Sequence, residues 1–214
     1  MSKPRRAHTP PLLPALLMAL LVALLALTAF VLTRPAPPLP GPASAEVRFT
    51  QDMTRHHEQA VTMARLIRPR STRRTVRSLA LDIELSQGEQ LRQMRGWLTL
   101  WGQGPGAPPT PEHARHMGMA SPAELVSLST LPPREAERAF LRLMIRHHRG
   151  ALAMVRGVLR PEGVRPGVRP EVLRLARQIE ASQRGEIITL TGLLSRLGGP
   201  DSSDAAPSSG QHHH

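Results

Sequence analysis

Cysteine is absent from the 214 residues and so is tyrosine; three phenylalanines and two tryptophans are the whole aromatic complement. Without a thiol the chain has no disulfide and no thiolate to offer a metal or a redox partner. Without stacking aromatics it lacks the platforms on which single-stranded nucleic acid is held. Lys3 is the only lysine, so the net charge of +12 is almost wholly arginine. Read along the chain, those arginines are scattered over helical segments rather than massed, and no nucleic-acid partner is expected. There is no Glu-x-x-His pair of the kind that builds di-iron bundles. A glycine-rich phosphate loop and a nucleophilic-serine motif are also missing. No enzymatic activity is expected.

One long apolar run is present. Residues 12–32, LLPALLMALLVALLALTAFVL, carry no charge, and about 20 such residues suffice to cross a bilayer as a helix. Lys3, Arg5 and Arg6 precede the run, which predicts a cytoplasmic basic N-terminus (1–11), a transmembrane anchor (12–32) and export of the rest to the periplasmic or outer face. The alternative is secretion after signal cleavage at Ala43–Ala45, although the run exceeds the usual signal core of about 7–15 residues. Residues 33–45 form a Pro-rich, semi-rigid spacer. Residues 199–214 are low-complexity, are expected to be disordered, and end in three histidines.

Between spacer and tail the apolar period is helical. Four long helices are expected: Glu46 to Arg68, stopped by Pro69; Thr72 to Trp101, meeting Gly102; one opening at Pro133 and ending before Pro161; and one from Pro170 to Gly198. A short helix is expected at SPAELVSL, with Ser121 and Glu124 as a capping box around Pro122. Residues 46–67 align with 137–158 through identical Glu, Phe, Met, Arg, His, His, Ala, Met and Arg. This divides the domain at 46–198 into repeat one (46–102), an inter-repeat segment (103–133) and repeat two (134–198). Two such hairpins should close into a four-helix bundle.

At 100° per residue, Phe49, Met53, His56, Ala60 and Met63 share one stripe, as do Phe140, Met144, His147, Ala151 and Met154. His56 and His147 therefore face the core, while His57 and His148 fall near the stripe's edge or against the neighbouring helix. The partner helices carry Gln87, Gln90, Gln183 and Glu186 in mid-stripe, and buried polar groups must be satisfied. One internal polar layer is expected. It is either a hydrogen-bonded network that sets register or a metal site, since imidazole and thioether are suitable ligands for copper. His113, His116, Met117 and Met119 form a second candidate cluster between the repeats. It needs no buried charge and is expected to carry exchangeable copper, with Glu186 the only carboxylate of the central layer.

These residues resemble the bacterial family known as domain of unknown function 305, through F-x-x-x-M-x-x-H-H-x-x-A-x-x-M. Phe49, Met53, His56, His57, Ala60 and Met63 match it, and so do Phe140, Met144, His147, His148, Ala151 and Met154. Gln183, Glu186 and Ile187 fit its second-helix pattern, in which Gln90 replaces the acid in repeat one. The resemblance covers roughly residues 46–198. It implies a ferritin-like fold and, from some relatives, copper binding or tolerance.

Overall fold

The computed structural model describes residues 12–33, 38–160, 163–164 and 167–198. The basic N-terminus 1–11, spacer residues 34–37 and the tail 199–214 lie outside the described residues. The chain divides into two compact units, Met1–Leu39 and Pro40–His214.

The first unit contains helix α1 (Leu12–Leu32). Its segment Pro14–Leu32 has a mean hydropathy of 2.9 and none of it is buried. At 1.5 Å per residue the helix is about 32 Å long, which matches a hydrocarbon core of about 30 Å. Its threonines do not oppose that environment, because Thr28 and Thr33 donate their hydroxyls to the carbonyls of Leu24 and Ala29, each at 2.8 Å. The helix is long and apolar enough to cross a membrane, a property that signal sequences share.

The second unit is all-α apart from one minimal strand pair. Its helices are α2 (Ala45–Ile67), α3 (Arg74–Leu100), α4 (Pro111–His116), α5 (Pro122–Thr130), α6 (Pro133–Val158) and α7 (Pro170–Gly198). Ser44 caps α2 by accepting from the Val47 amide. A Schellman turn ends α3: Gln103 N donates to Leu98 O and Gly102 N to Thr99 O, with Gly102 at φ 64°. The capping box of α5 is present. Two elements go beyond expectation. Helix α4 forms because Thr110 caps it and Pro111 fills its first turn. Strands β1 (Leu159–Arg160) and β2 (Gly163–Val164) pair antiparallel between α6 and α7, too short for any period to announce them.

Helix α2 packs along α3, α6 along α7, and the two hairpins meet through α2 and α6. The core falls into two apolar clusters. One joins Ala60, Met63 and Ile67 of α2 to Phe140, Leu141 and Met144 of α6. The other joins Val47, Phe49 and Met53 of α2 to Ala151 and Val155 of α6, with Met154 packed against it. The end of α2 thus meets the start of α6 and vice versa, so the two run antiparallel. Their crossing point lies between the clusters, at the double histidines. Each large side chain so buried stabilises the fold by about 1.5–3 kcal/mol.

The hairpins also exchange acids. Glu137, fully buried at the start of α6, accepts from Ser71 Oγ at 2.6 Å and from the amides of Thr72 and Arg73 at 2.9 and 3.2 Å, just before α3. Glu46, at the start of α2, accepts from the Arg169 amide at 2.9 Å, just before α7. Each acid satisfies amides that the opening turn of the other hairpin's second helix cannot pair internally. Glu137→Ala should lower unfolding free energy in urea by about 3 kcal/mol, because it takes the shared acceptor from the buried Ser71 hydroxyl and the part-buried Thr72 and Arg73 amides. Glu135→Ala, two residues away and exposed, should change it little, and equal losses in both would refute the assignment.

Candidate metal centre

Helical phase brings four imidazoles to the α2–α6 crossing, all fully buried. The rings of His56 and His147 stack, with centroids 3.6 Å apart and an interplanar angle of 26°. His57 lies 6.2 Å from His56, and His148 lies 6.4 Å from His147. The inward placement of His56 and His147 follows the stripes. Of the two places expected for His57 and His148, the neighbouring helix is the one observed, with α3 and α7 covering the stripe's edge. His57 Nε2 meets Gln90 Oε1 at 2.7 Å and His148 Nε2 meets Glu186 Oε2 at 2.5 Å. His56 turns instead to the inter-repeat segment, with Nε2 3.0 Å from Met117 O.

These partners determine which nitrogen carries the proton. A backbone carbonyl, an amide oxygen and a carboxylate all accept, so His56, His57 and His148 each donate from Nε2. In a neutral ring that leaves Nδ1 as a bare lone pair, as at His56 and His57, and Nδ1 of all three has no hydrogen-bond partner among the described residues. Both ring nitrogens of His147 and both side-chain amide atoms of Gln87 and Gln183 are likewise unpartnered and buried. Burial, reinforced by neighbouring imidazoles, holds His56 and His147 well below the usual histidine range. Burial brings His57 down to about 4 despite its bond to Gln90. Above pH ~6.5 these rings are neutral, as ligation requires. Methionine flanks the layer on both sides: Met53 and Met154 belong to one apolar cluster, Met63 and Met144 to the other. Among the described residues no three His, Asp or Glu side chains converge as ready ligands.

The inter-repeat cluster does not assemble. His113 is half exposed and pairs with Asp52 at 3.1 Å, His116 is exposed, and Met119 lines an outer cleft of about 770 Å³. Met117 alone goes inward and is 1% exposed. Chain proximity suggested a shared site, but the helix end and the tight turn after it bury Met117 while His113 and His116 stay exposed. Gly118, at φ 69°, makes that turn possible. The turn lies directly on α6: a Cβ on Gly150 would stand 1.8 Å from Met117 O. Arg146 fastens the same segment through Met119 O at 3.2 Å and both oxygens of Glu124. Its hydrogen bond holds the Glu124 carboxyl at about 2. From α2, Gln59 clamps Ala120 N and O at 2.7 and 2.8 Å. Gly150, Arg146 and Gln59 were not singled out in the sequence, although a glycine in mid-helix signals close backbone approach.

The family described as Domain of unknown function (DUF305) matches residues 46–169. The chain belongs to the DUF305 family. A DUF305 fragment from Deinococcus radiodurans is 57% identical with a TM-score of 0.67, covering 75% of this chain and 99% of its own. A DUF305 protein from Streptomyces coelicolor, described as a candidate secreted protein, is 36% identical with a TM-score of 0.66, covering 81% and 100%. CopM in its Cu(I)-bound form is 25% identical with a TM-score of 0.58, covering 73% and 99%. Its Cu(II)-bound form gives a TM-score of 0.53. No curated protein matches this DUF305 chain.

Proposed function

We propose that this DUF305 protein is an extracytoplasmic copper-binding protein, serving copper tolerance and tethered to the membrane by α1. Its second unit reads as a ferritin-like four-helix bundle of two repeated hairpins, with copper held at the layer where they cross. One observation carries the proposal: His56 and His57 each donate Nε2–H to an acceptor and keep a neutral, buried, unpartnered Nδ1, beside a His148 tied through Nε2 to Glu186. Metal-binding histidines show this arrangement, with the far nitrogen tied to carbonyl or carboxylate and the near one bare. Met53, Met63, Met144 and Met154 bracket the layer, and Met117 closes it. Thioether and imidazole without thiolate favour Cu(I) over zinc. Neutral ligands also suit a monovalent ion, since Glu186 is the one acid at the layer and is bonded to His148. Copper binding by CopM supports the choice of metal.

The test uses the full-length chain with His212–His214 replaced by alanine in every sample. His56→Ala/His147→Ala should lose Cu(I) by at least about tenfold, the lower end seen for disturbed metal shells. His113→Ala/His116→Ala/Met119→Ala should retain it. Unchanged copper affinity in a folded His56/His147 variant would sink the central site. One observation favours a packing-only layer, namely the face-to-face stack of His56 on His147. In that case Leu at both positions should yield a folded, more stable protein and no wild-type copper uptake.

A further inference from the structure

On the helical wheel of α6, Arg134, Arg138, Arg142, Arg146, Arg149 and Arg156 fall within a sector of about 120° opposite the buried stripe. All six are exposed. Scattered in chain order, these arginines align in space for about 33 Å along the helix. Arg146 is neutralised by Glu124 and Arg138 donates to Leu197 O. Arg142, Arg149 and Arg156 have no ion-pair partner among the described residues. The aligned face of α2 is different: Val47, Gln51 and Glu58 stand where α6 has Arg138, Arg142 and Arg149. There Glu58 is paired with Arg95, and Arg55 is spent on the carbonyls of Pro105 and Gly106. The inward stripes stayed alike while one outward face became basic.

We propose that the arginine face of α6 docks the second unit onto an anionic membrane surface, through lipid phosphates. This rests on the reading of α1 as an uncleaved anchor. The chain supplies the argument for that occupant. Only residues 33–39 lie between α1 and the second unit, which begins at Pro40, and so short a Pro-rich stretch reaches about 22 Å when extended. A unit tethered that closely meets headgroups at high effective concentration, and guanidinium groups bind phosphate bidentately.

Because the chain has no cysteine, a single label reports one place. Ala153→Cys sits among the arginines, and Gln93→Cys on α3 serves as control. Full-length chain carrying a polarity-sensitive dye is reconstituted into vesicles of phosphatidylcholine alone or with phosphatidylglycerol, and acrylamide quenching is measured. The Ala153 label should be shielded only in the anionic vesicles, the Gln93 label in neither, and high salt should remove the shielding. Arg142→Gln/Arg149→Gln/Arg156→Gln should weaken docking on the order of a hundredfold at about 1 kcal/mol per arginine, with unchanged circular dichroism. Equal quenching in both vesicles overturns docking, as does shielding by soluble polyphosphate in neutral vesicles without shielding by phosphatidylglycerol. Failure to float with neutral vesicles overturns the anchor instead, whatever the label reports.

Discussion

Between about pH 7 and pH 5 the second unit should lose most of its stability, with urea midpoints falling steeply below pH ~6.5. An unfolded histidine titrates near 6.5, whereas folded His57 titrates at about 4 and His56 and His147 lie well below the usual range. Below ~6.5 the unfolded chain therefore takes up protons that the native layer refuses. Stability is intact above the unfolded pKa, falls as pH drops, and levels off only beneath the folded values. Each such group contributes about 1.4 kcal/mol per pH unit, so three contribute about 4. Against a typical total of about 5–15 kcal/mol, unfolding by pH ~5 is the expected result. His57→Gln should flatten the slope by about a third, and bound Cu(I) should shift the transition to lower pH. A urea midpoint that stays level across this range would mean the imidazoles are not buried neutral.

Gly150→Ala should be nearly as damaging. The added methyl would lie 1.8 Å from Met117 O and 2.3 Å from Met117 C, a clash between two backbones that no rotamer relieves. The turn would have to lift from α6 and carry with it the carbonyl that receives the His56 proton. Loss of about 3 kcal/mol is expected, at the upper end for overpacking, or about 6–12 °C in Tm for a domain this size. The imidazole signals of His56 should move as well. Gly157→Ala is the control: that position faces open space on the same helix and should gain up to about 1 kcal/mol. Equal effects at both glycines would show that the turn does not bear on α6.

The long helices and the inward histidines were legible because their signals are local: apolar residues every three or four positions, prolines and caps at the ends. For His57 and His148 the wheel left edge and neighbouring helix both open, because a wheel drawn for one helix cannot show that α3 and α7 close over its edge. Likewise the spacing of His113, His116, Met117 and Met119 announced a cluster, while the chain's reversal at Gly118 decided where each side chain went. Glu46 and Glu137 appeared only as one identity in the repeat alignment. Their partners lie in the opposite hairpin, at sequence distances of 123 and 64–66 residues, where no periodicity reaches.

That exchange of acids also shows what the connection between the hairpins contributes. Each hairpin receives, at the start of its second helix, an acid from the other, so two separate hairpins would complete those caps only as far as their concentration allowed. Residues 103–133 hold both in one chain, and the exchange becomes intramolecular.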